Sequence, residues 1–131
     1  MNIFQAQVGR WMLKCFTPEI AADKLERNDR FIEESLELVQ SLGYSADRAH
    51  ALVDYVFNRD IGDPHQEVGG VMVTLAALCG ANGLDMQAAG DDELARILSP
   101  EVIEKIRKKQ ASKPVGSALP VPSQQHKGLN P

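Results

Sequence analysis

The sequence lacks the features that mark several common protein classes. Its only cysteines, Cys15 and Cys79, are far apart and have no C-x-x-C spacing, which predicts reduced thiols in a cytoplasmic protein. No basic segment precedes an apolar run at the N-terminus, so no secretory signal is expected. The longest uncharged run, residues 68–84, has 17 residues and four glycines, which is too short to span a bilayer.

Positive charge is also scarce. The 14 Lys and Arg against 18 Asp and Glu give a net charge of −4, which argues against a nucleic-acid partner. The chain has no Gly-rich phosphate loop and no nucleophile elbow, and its histidines show no metal spacing, which excludes the commonest enzymes built on those motifs. A chain of 131 residues with 44% hydrophobic and 24% charged residues is ordinary for one globular domain.

The hydrophobic spacing is helical along most of the chain, and no segment alternates long enough to predict a strand. Helices are expected at about 3–16, 19–42, 46–58 and 64–81, followed by two shorter ones, the first beginning near 91–93 and the second at 99–101. The predicted fold class is therefore all-α, a helical bundle over residues 1–111. Residues 112–131 are rich in Pro, Ser and Gly and are predicted to be a flexible tail.

The stretch from Phe31 to Val39 carries the most promising chemistry. On a helix its apolar residues form one arc, while Glu33, Glu34 and Glu37 share the other side. Glu34 and Glu37 are three residues apart, so their carboxylates can converge, and a divalent cation between them would turn their repulsion into attraction. The alternative is a solvated face on which Arg30 pairs with one of these glutamates.

The fourth predicted helix contributes another carboxylate. Asp63 at the N-cap and Pro64 at the first helical position mark its start. Residues 68–81 carry no charge, which predicts burial on all sides, inside a bundle or between subunits. Glu67 shares a face with apolar residues and is expected to be paired or metal-bound. Alternatively, it only complements the helix dipole.

These two elements resemble the E-E-x-x-E and E-x-x-D pattern of the MazG-like all-α nucleotide pyrophosphohydrolases, over roughly residues 31–84. The resemblance implies that Glu34, Glu37 and Glu67 hold Mg²⁺ or Mn²⁺, for which an all-oxygen cage is suited. It also implies hydrolysis of a (d)NTP at the α–β phosphoanhydride, giving a (d)NMP and pyrophosphate. Glu33 or Glu34 would orient the attacking water.

The sequence departs from that pattern where the family's aspartate falls on Gly70. Water at one ion is the favoured replacement and Glu33 the second, while Asp63 or Asp54 could also supply a carboxylate. If none does, the chain is a catalytically inactive helical interaction module whose acidic face meets a basic partner.

Contacts to the substrate are predicted from three further residues. Trp11, the only tryptophan, is a candidate to stack on the base, although core packing explains it equally well. Arg27 and Arg30 are candidates to bind phosphate oxygens, with salt bridges to neighbouring glutamates as the alternative. The Glu-Val-Gly-Gly variant at Glu67 resembles phage-type members of the family, some of which act on purine deoxynucleotides. A purine substrate such as dGTP or dATP is therefore expected, in the cytoplasm of a host cell if the chain is phage-encoded.

The apolar fourth helix also predicts self-association. The other helices are too few to cover all its sides, and neither a membrane nor a nucleic acid is expected to do so. The open side is expected to hold a strip of small residues, namely Gly69, Gly70, Val73, Ala77 and Gly80. A homodimer or homotetramer is predicted, as the resemblance also implies, with basic residues reaching the site across the interface.

Overall fold

The computed structural model describes residues 2–113 and 116–119. Within these residues the chain forms seven α-helices and no strand, which confirms the predicted all-α class. The helices are α1 Ile3–Cys15, α2 Pro18–Ala21, α3 Lys24–Ser41, α4 Ala46–Phe57, α5 Pro64–Ala81, α6 Met86–Ile97 and α7 Pro100–Ser112. Most of the predicted tail, at 114–115 and 120–131, lies outside the described residues.

Several helix boundaries follow the predicted capping residues. The side chain of Asp63 accepts a hydrogen bond from the backbone N–H of Gln66 at 3.0 Å, which starts α5. The hydroxyl of Ser45 accepts one from Arg48 at 3.3 Å and starts α4. Gly43, with φ of 86°, ends α3 in the left-handed conformation that glycine adopts without strain.

Two predicted boundaries are wrong. The helix expected over 19–42 is interrupted, because α2 ends at Ala21 and Asp23 then starts α3 by accepting from the N–H of Glu26 at 3.1 Å. The helix expected to begin near 91–93 starts one and a half turns earlier, where the Asp85 carboxylate accepts from the N–H of Ala88 at 2.8 Å. In both places a short acidic side chain satisfies the free N–H groups of a helix start.

The chain divides into two compact units. The terminal unit comprises residues 1–31 and 94–131, and the middle unit comprises residues 32–93. In the terminal unit α1 packs against α7 and α2, with Cys15 and Leu94 buried. Burial raises the pKa of the Cys15 thiol, although the nearby Arg107 opposes the shift.

The middle unit buries very little of its own apolar surface. Cys79 is its only buried residue, although α4 and α5 are rich in large hydrophobic side chains. On α5, Val68 is 60% exposed, Met72 56% and Val73 70%. The burial predicted for α5 is thus not reached within one chain. In the described residues no single helix is long and apolar enough to cross a membrane, although α5 and α6 pass that test together with a bend of 101°.

Candidate functional site

A cavity of about 440 Å³ opens between α3 and α4, entirely within the middle unit. Its lining side chains are Glu33, Leu36, Glu37, Val39, Gln40, Tyr44, Ser45, Ala46, Ala49, His50 and Val53. Its volume lies in the range of about 300–1,000 Å³ that is typical of small-molecule sites in proteins. It is therefore large enough to take a ligand of nucleotide size.

The helical period explains how these residues reach one cavity. Most of the lining residues of α3 are spaced at i, i+3, i+4 and i+7, which places them on one side of the helix: Glu33, Leu36, Glu37 and Gln40. The lining residues of α4 repeat that spacing: Ala46, Ala49, His50 and Val53. The short turn at Gly43 connects the two helices, so these two sides border the same space.

The cavity combines an apolar wall with polar groups at its edge. Leu36, Val39 and Val53 provide flat apolar contact, which suits an aromatic ring of a ligand. Glu33 is half-buried, while Glu37 is exposed one helical turn further along. Carboxylates at this spacing can bind a cation together, or one of them can orient a water molecule.

Tyr44 and His50 add the hydrogen-bonding groups of the cavity. The half-buried ring of Tyr44 lies under the Arg48 guanidinium, whose carbon is 5.7 Å from the ring centre. This cation–π contact fixes the ring at the edge of the cavity. His50 offers an imidazole from α4, and the amide of Gln40 is at once a donor and an acceptor. These three side chains can therefore read the edge of a heterocyclic base.

The three glutamates of α3 do not all lie at the cavity. Glu33 and Glu37 line the cavity, whereas Glu34 is exposed and does not. The pairing expected from the sequence joined Glu34 to Glu37, three residues apart. Glu33 and Glu37 are four apart, on the side of α3 that borders the cavity.

Glu67 lies in the first turn of α5, a position at which an acidic side chain can complement the helix dipole. Its exposed carboxylate folds back over the backbone of Gly62, where an added Cβ would collide with it. Asp63, suggested as a replacement ligand, is engaged as the N-cap. In residues 2–113 and 116–119 no three His, Cys, Asp or Glu side chains form a group that could hold a metal ion. The binding of Mg²⁺ or Mn²⁺ by Glu34, Glu37 and Glu67 therefore stays a prediction.

Arg27 and Arg30 belong to an ion cluster in the terminal unit. Glu26 is at its centre, with Arg27 at 3.7 Å, Arg30 at 3.4 Å and Lys113 at 2.5 Å. Arg27 also lies 5.2 Å from the centre of the Phe16 ring, which fixes its guanidinium further. The salt-bridge alternative thus accounts for the positions of both arginines, and phosphate binding by them stays a prediction.

Trp11 is part of the packing of the terminal unit. Its indole N–H donates to the carbonyl of Ile97 at 3.0 Å, and its ring meets Phe16 edge to face at 6.2 Å. Packing explains the position of the indole well, because its N–H has a hydrogen-bond acceptor and its ring has an aromatic neighbour. Stacking of Trp11 on a base therefore also stays a prediction.

The charge of the chain is distributed very unevenly between the two units. The middle unit contains twelve acidic and two basic residues, whereas the terminal unit contains six acidic and twelve basic ones. The overall net charge of −4 conceals this division. Counting charges by segment shows that the acidic excess of the chain lies within residues 32–93.

Comparison with protein-family models, with curated proteins and with solved structures found no match to this chain. The assignment of a function therefore rests on the cavity, the carboxylates and the charge of the middle unit.

Proposed function

We propose that the chain is a nucleoside triphosphate pyrophosphohydrolase that depends on Mg²⁺ or Mn²⁺. The observation that carries this proposal is the cavity between α3 and α4, which has an apolar wall, hydrogen-bonding side chains and two glutamates at its border. This is the combination needed to hold a flat base and to place a carboxylate beside a reacting phosphate.

The reaction needs little from the protein beyond positioning and one proton acceptor. Glu33 accepts a proton from a water molecule whose oxygen attacks the α-phosphorus. The bond from that phosphorus to the α–β bridging oxygen breaks, and pyrophosphate leaves with the electron pair. Glu33 suits this role because it is half-buried at the cavity, where a carboxylate is held more firmly than on an open surface.

The negative charge of the middle unit supports the cation requirement. A triphosphate that approaches twelve acidic and two basic side chains is repelled unless cations accompany it. The oxygens of carboxylates and phosphates are ligands that Mg²⁺ and Mn²⁺ prefer. We therefore expect the nucleotide to bind as its metal complex.

A second candidate function is a non-enzymatic interaction module. The same excess of acidic side chains in the middle unit would attract a basic protein partner. The lack of a three-residue metal group in the described residues of the single chain favours this candidate. It predicts no turnover of any nucleotide.

A turnover panel separates the two functions. The eight common nucleoside triphosphates are incubated with the protein and Mg²⁺ or Mn²⁺, and both pyrophosphate and orthophosphate are measured. We expect pyrophosphate to be released, fastest from a purine deoxynucleotide such as dGTP or dATP. Orthophosphate as the only phosphate product, or no turnover of any nucleotide, would refute the hydrolase, and a preference for dCTP or dUTP would overturn the purine assignment.

The position of Glu67 can be tested through Gly62. The substitution Gly62→Ala forces the Glu67 carboxylate to move, because the added Cβ would collide with it. The protein should lose little stability, since only the end of a flexible side chain must shift. If Glu67 takes part in the reaction, we expect pyrophosphate release to fall about tenfold or more. The matched control is Gly9→Ala, where an added Cβ meets nothing within 4 Å. Equal activity of both variants would show that Glu67 only complements the helix dipole.

A further inference from the structure

The net charge of −4, from which no nucleic-acid partner is expected, averages over two units of opposite charge. The terminal unit, residues 1–31 and 94–131, contains twelve basic and six acidic residues and therefore has a surplus of six positive charges. The net charge of the whole chain does not describe how this unit meets a charged partner.

Four of these basic residues lie within five consecutive positions of α7. Three of them, Lys105, Lys108 and Lys109, recur at i, i+3 and i+4 and therefore share one side of the helix. We call this side the α7 lysine face. All three lysines are exposed, whereas Val102 and Ile106 on the same helix are half-buried.

The helix that bears the lysines is fixed within the terminal unit. α7 packs against α1, and the Nε of Arg107 donates a hydrogen bond to the carbonyl oxygen of Lys14 at 2.8 Å. This carbonyl lies in the last turn of α1, where no partner within the helix is in place to satisfy it. Arg107 therefore has a structural role, and the lysines are left as the solvent-facing cations of α7.

Neither the helix dipole nor the nearby carboxylates account for the charge of the α7 lysine face. The C-terminus of a helix corresponds to about half a negative elementary charge, which balances less than one lysine. Glu101 and Glu104 lie one turn before the lysines, yet among the described residues no ion pair joins them to the lysine face. Most of the positive charge on this side of α7 is therefore available to a partner.

We propose that the α7 lysine face binds the phosphates of nucleic acid without reading the base sequence. Each lysine is a flexible point charge, so three of them spaced over about 6 Å of helix axis can follow neighbouring phosphates of one strand. Binding releases the counterions condensed on the nucleic acid, which is the main source of sequence-independent affinity. The inference does not depend on the chain being a hydrolase.

The acidic middle unit limits the strength of this binding. Its twelve acidic and two basic residues repel a nucleic acid, although charges more than about 8 Å apart are largely screened at physiological ionic strength. We therefore expect an affinity typical of non-specific binding, which becomes measurable when the salt concentration is lowered.

An anionic lipid surface fits the α7 lysine face less well. Helices that lie on a membrane bury an apolar side in the lipid next to their cations. On α7 the apolar residues Val102, Ile103 and Ile106 are half-buried, and no large hydrophobic residue of this helix is exposed. Only the cations are presented, which suits a linear chain of phosphates better.

Fluorescence anisotropy of the full chain with short labelled DNA duplexes tests the proposal. At about 50 mM salt, with EDTA present so that no metal–nucleotide complex forms, we expect a Kd of about 10⁻⁵ M for two duplexes of unrelated sequence. The logarithm of the affinity should fall with the logarithm of the salt concentration with a slope of about −2.7, the value for three phosphate contacts. No binding at this salt concentration, or a strong preference for one of the two duplexes, would overturn the proposal.

The lysine face itself is tested with matched substitutions. Lys108→Gln is expected to raise the Kd by about fivefold and to reduce the slope by about 0.9, because one phosphate contact is lost. Lys24→Gln is the control, since Lys24 is exposed, belongs to the same unit and lies at the start of α3. It should leave the Kd and the slope unchanged. Equal effects of the two substitutions would show that the lysine face is not the binding site.

A combined variant with Lys105→Gln, Lys108→Gln and Lys109→Gln extends the test. Glutamine is a good helix former and the three positions are exposed, so the fold should persist, with circular dichroism as the check. We expect the Kd to rise at least about tenfold and the salt dependence to be largely lost. Unchanged binding by this variant would refute the assignment of the surface.

Sedimentation with vesicles of phosphatidylserine and phosphatidylcholine distinguishes a lipid partner from a nucleic acid. We expect the wild-type chain to bind the duplexes and to stay in the supernatant of the vesicles at the same salt concentration. Cosedimentation of a chain that does not bind the duplexes, lost in the combined lysine variant, would show that the face meets a membrane and would overturn the proposal.

Discussion

Replacement of either cavity glutamate by glutamine is expected to lower pyrophosphate release by about 100-fold or more, the contribution typical of a positioned acid–base group. Glu33→Gln and Glu37→Gln remove a charge without removing volume at the border of the cavity. The fold should survive, because the side chains keep their size and the like-charge repulsion on α3 falls. Initial rates at saturating nucleotide and Mn²⁺ measure the effect, with circular dichroism as the check on folding.

Asp47→Asn is the matched control for this experiment. Asp47 lies in the first turn of α4, is exposed and does not line the cavity, so its substitution removes one charge from the same unit. We expect near wild-type rates. Full activity of both Glu33→Gln and Glu37→Gln would exclude the cavity as the reaction site.

The same substitution at Glu34 and at Glu67 tests the metal set implied by the family resemblance. If these residues hold Mn²⁺ together with Glu37, each change to Gln should lower activity by orders of magnitude. The thermal midpoint without metal should be unchanged or higher, and the rise in midpoint on adding Mn²⁺ should be lost. Normal activity of Glu34→Gln beside an inactive Glu37→Gln would restrict the essential carboxylates on α3 to those that line the cavity.

Local rules in the sequence predicted the helices well where a boundary carried a strong signal. Asp63 followed by Pro64, and Ser45 ahead of an apolar stripe, start α5 and α4 as expected. The break between α2 and α3 is marked in the sequence by Asp23 and by Glu26 three residues later, which form a capping pair. Periodicity continues across such a break and does not reveal it.

The location of the cavity was less accessible from the sequence. The glutamates of α3 are evident in the sequence, but the pair that lines the cavity depends on which side of α3 borders it. The sequence does not mark His50 and Tyr44 as cavity residues, since neither belongs to a metal motif. The matching i, i+3, i+4, i+7 spacings from Glu33 and from Ala46 would have identified both lining faces.

Filling the cavity is expected to have the other large effect. Ala49 is half-buried on the α4 side of the cavity, and Ala49→Phe places a phenyl ring in space that the nucleotide base would occupy. We expect kcat/KM to fall by about 100-fold, a loss of about 2.7 kcal/mol in transition-state binding. Most of the loss should appear in KM, because the ring competes with the base for the cavity.

Ala51→Phe supplies the control on the same helix. Ala51 is two residues further along α4, is exposed and does not line the cavity. The two variants add the same side chain to the same helix, so they differ only in whether the ring enters the cavity. Steady-state rates with the preferred nucleotide and with inorganic triphosphate, which has no base, complete the test. Ala49→Phe should impair nucleotide turnover alone, and equal kcat/KM for the nucleotide in both variants would show that the base binds elsewhere.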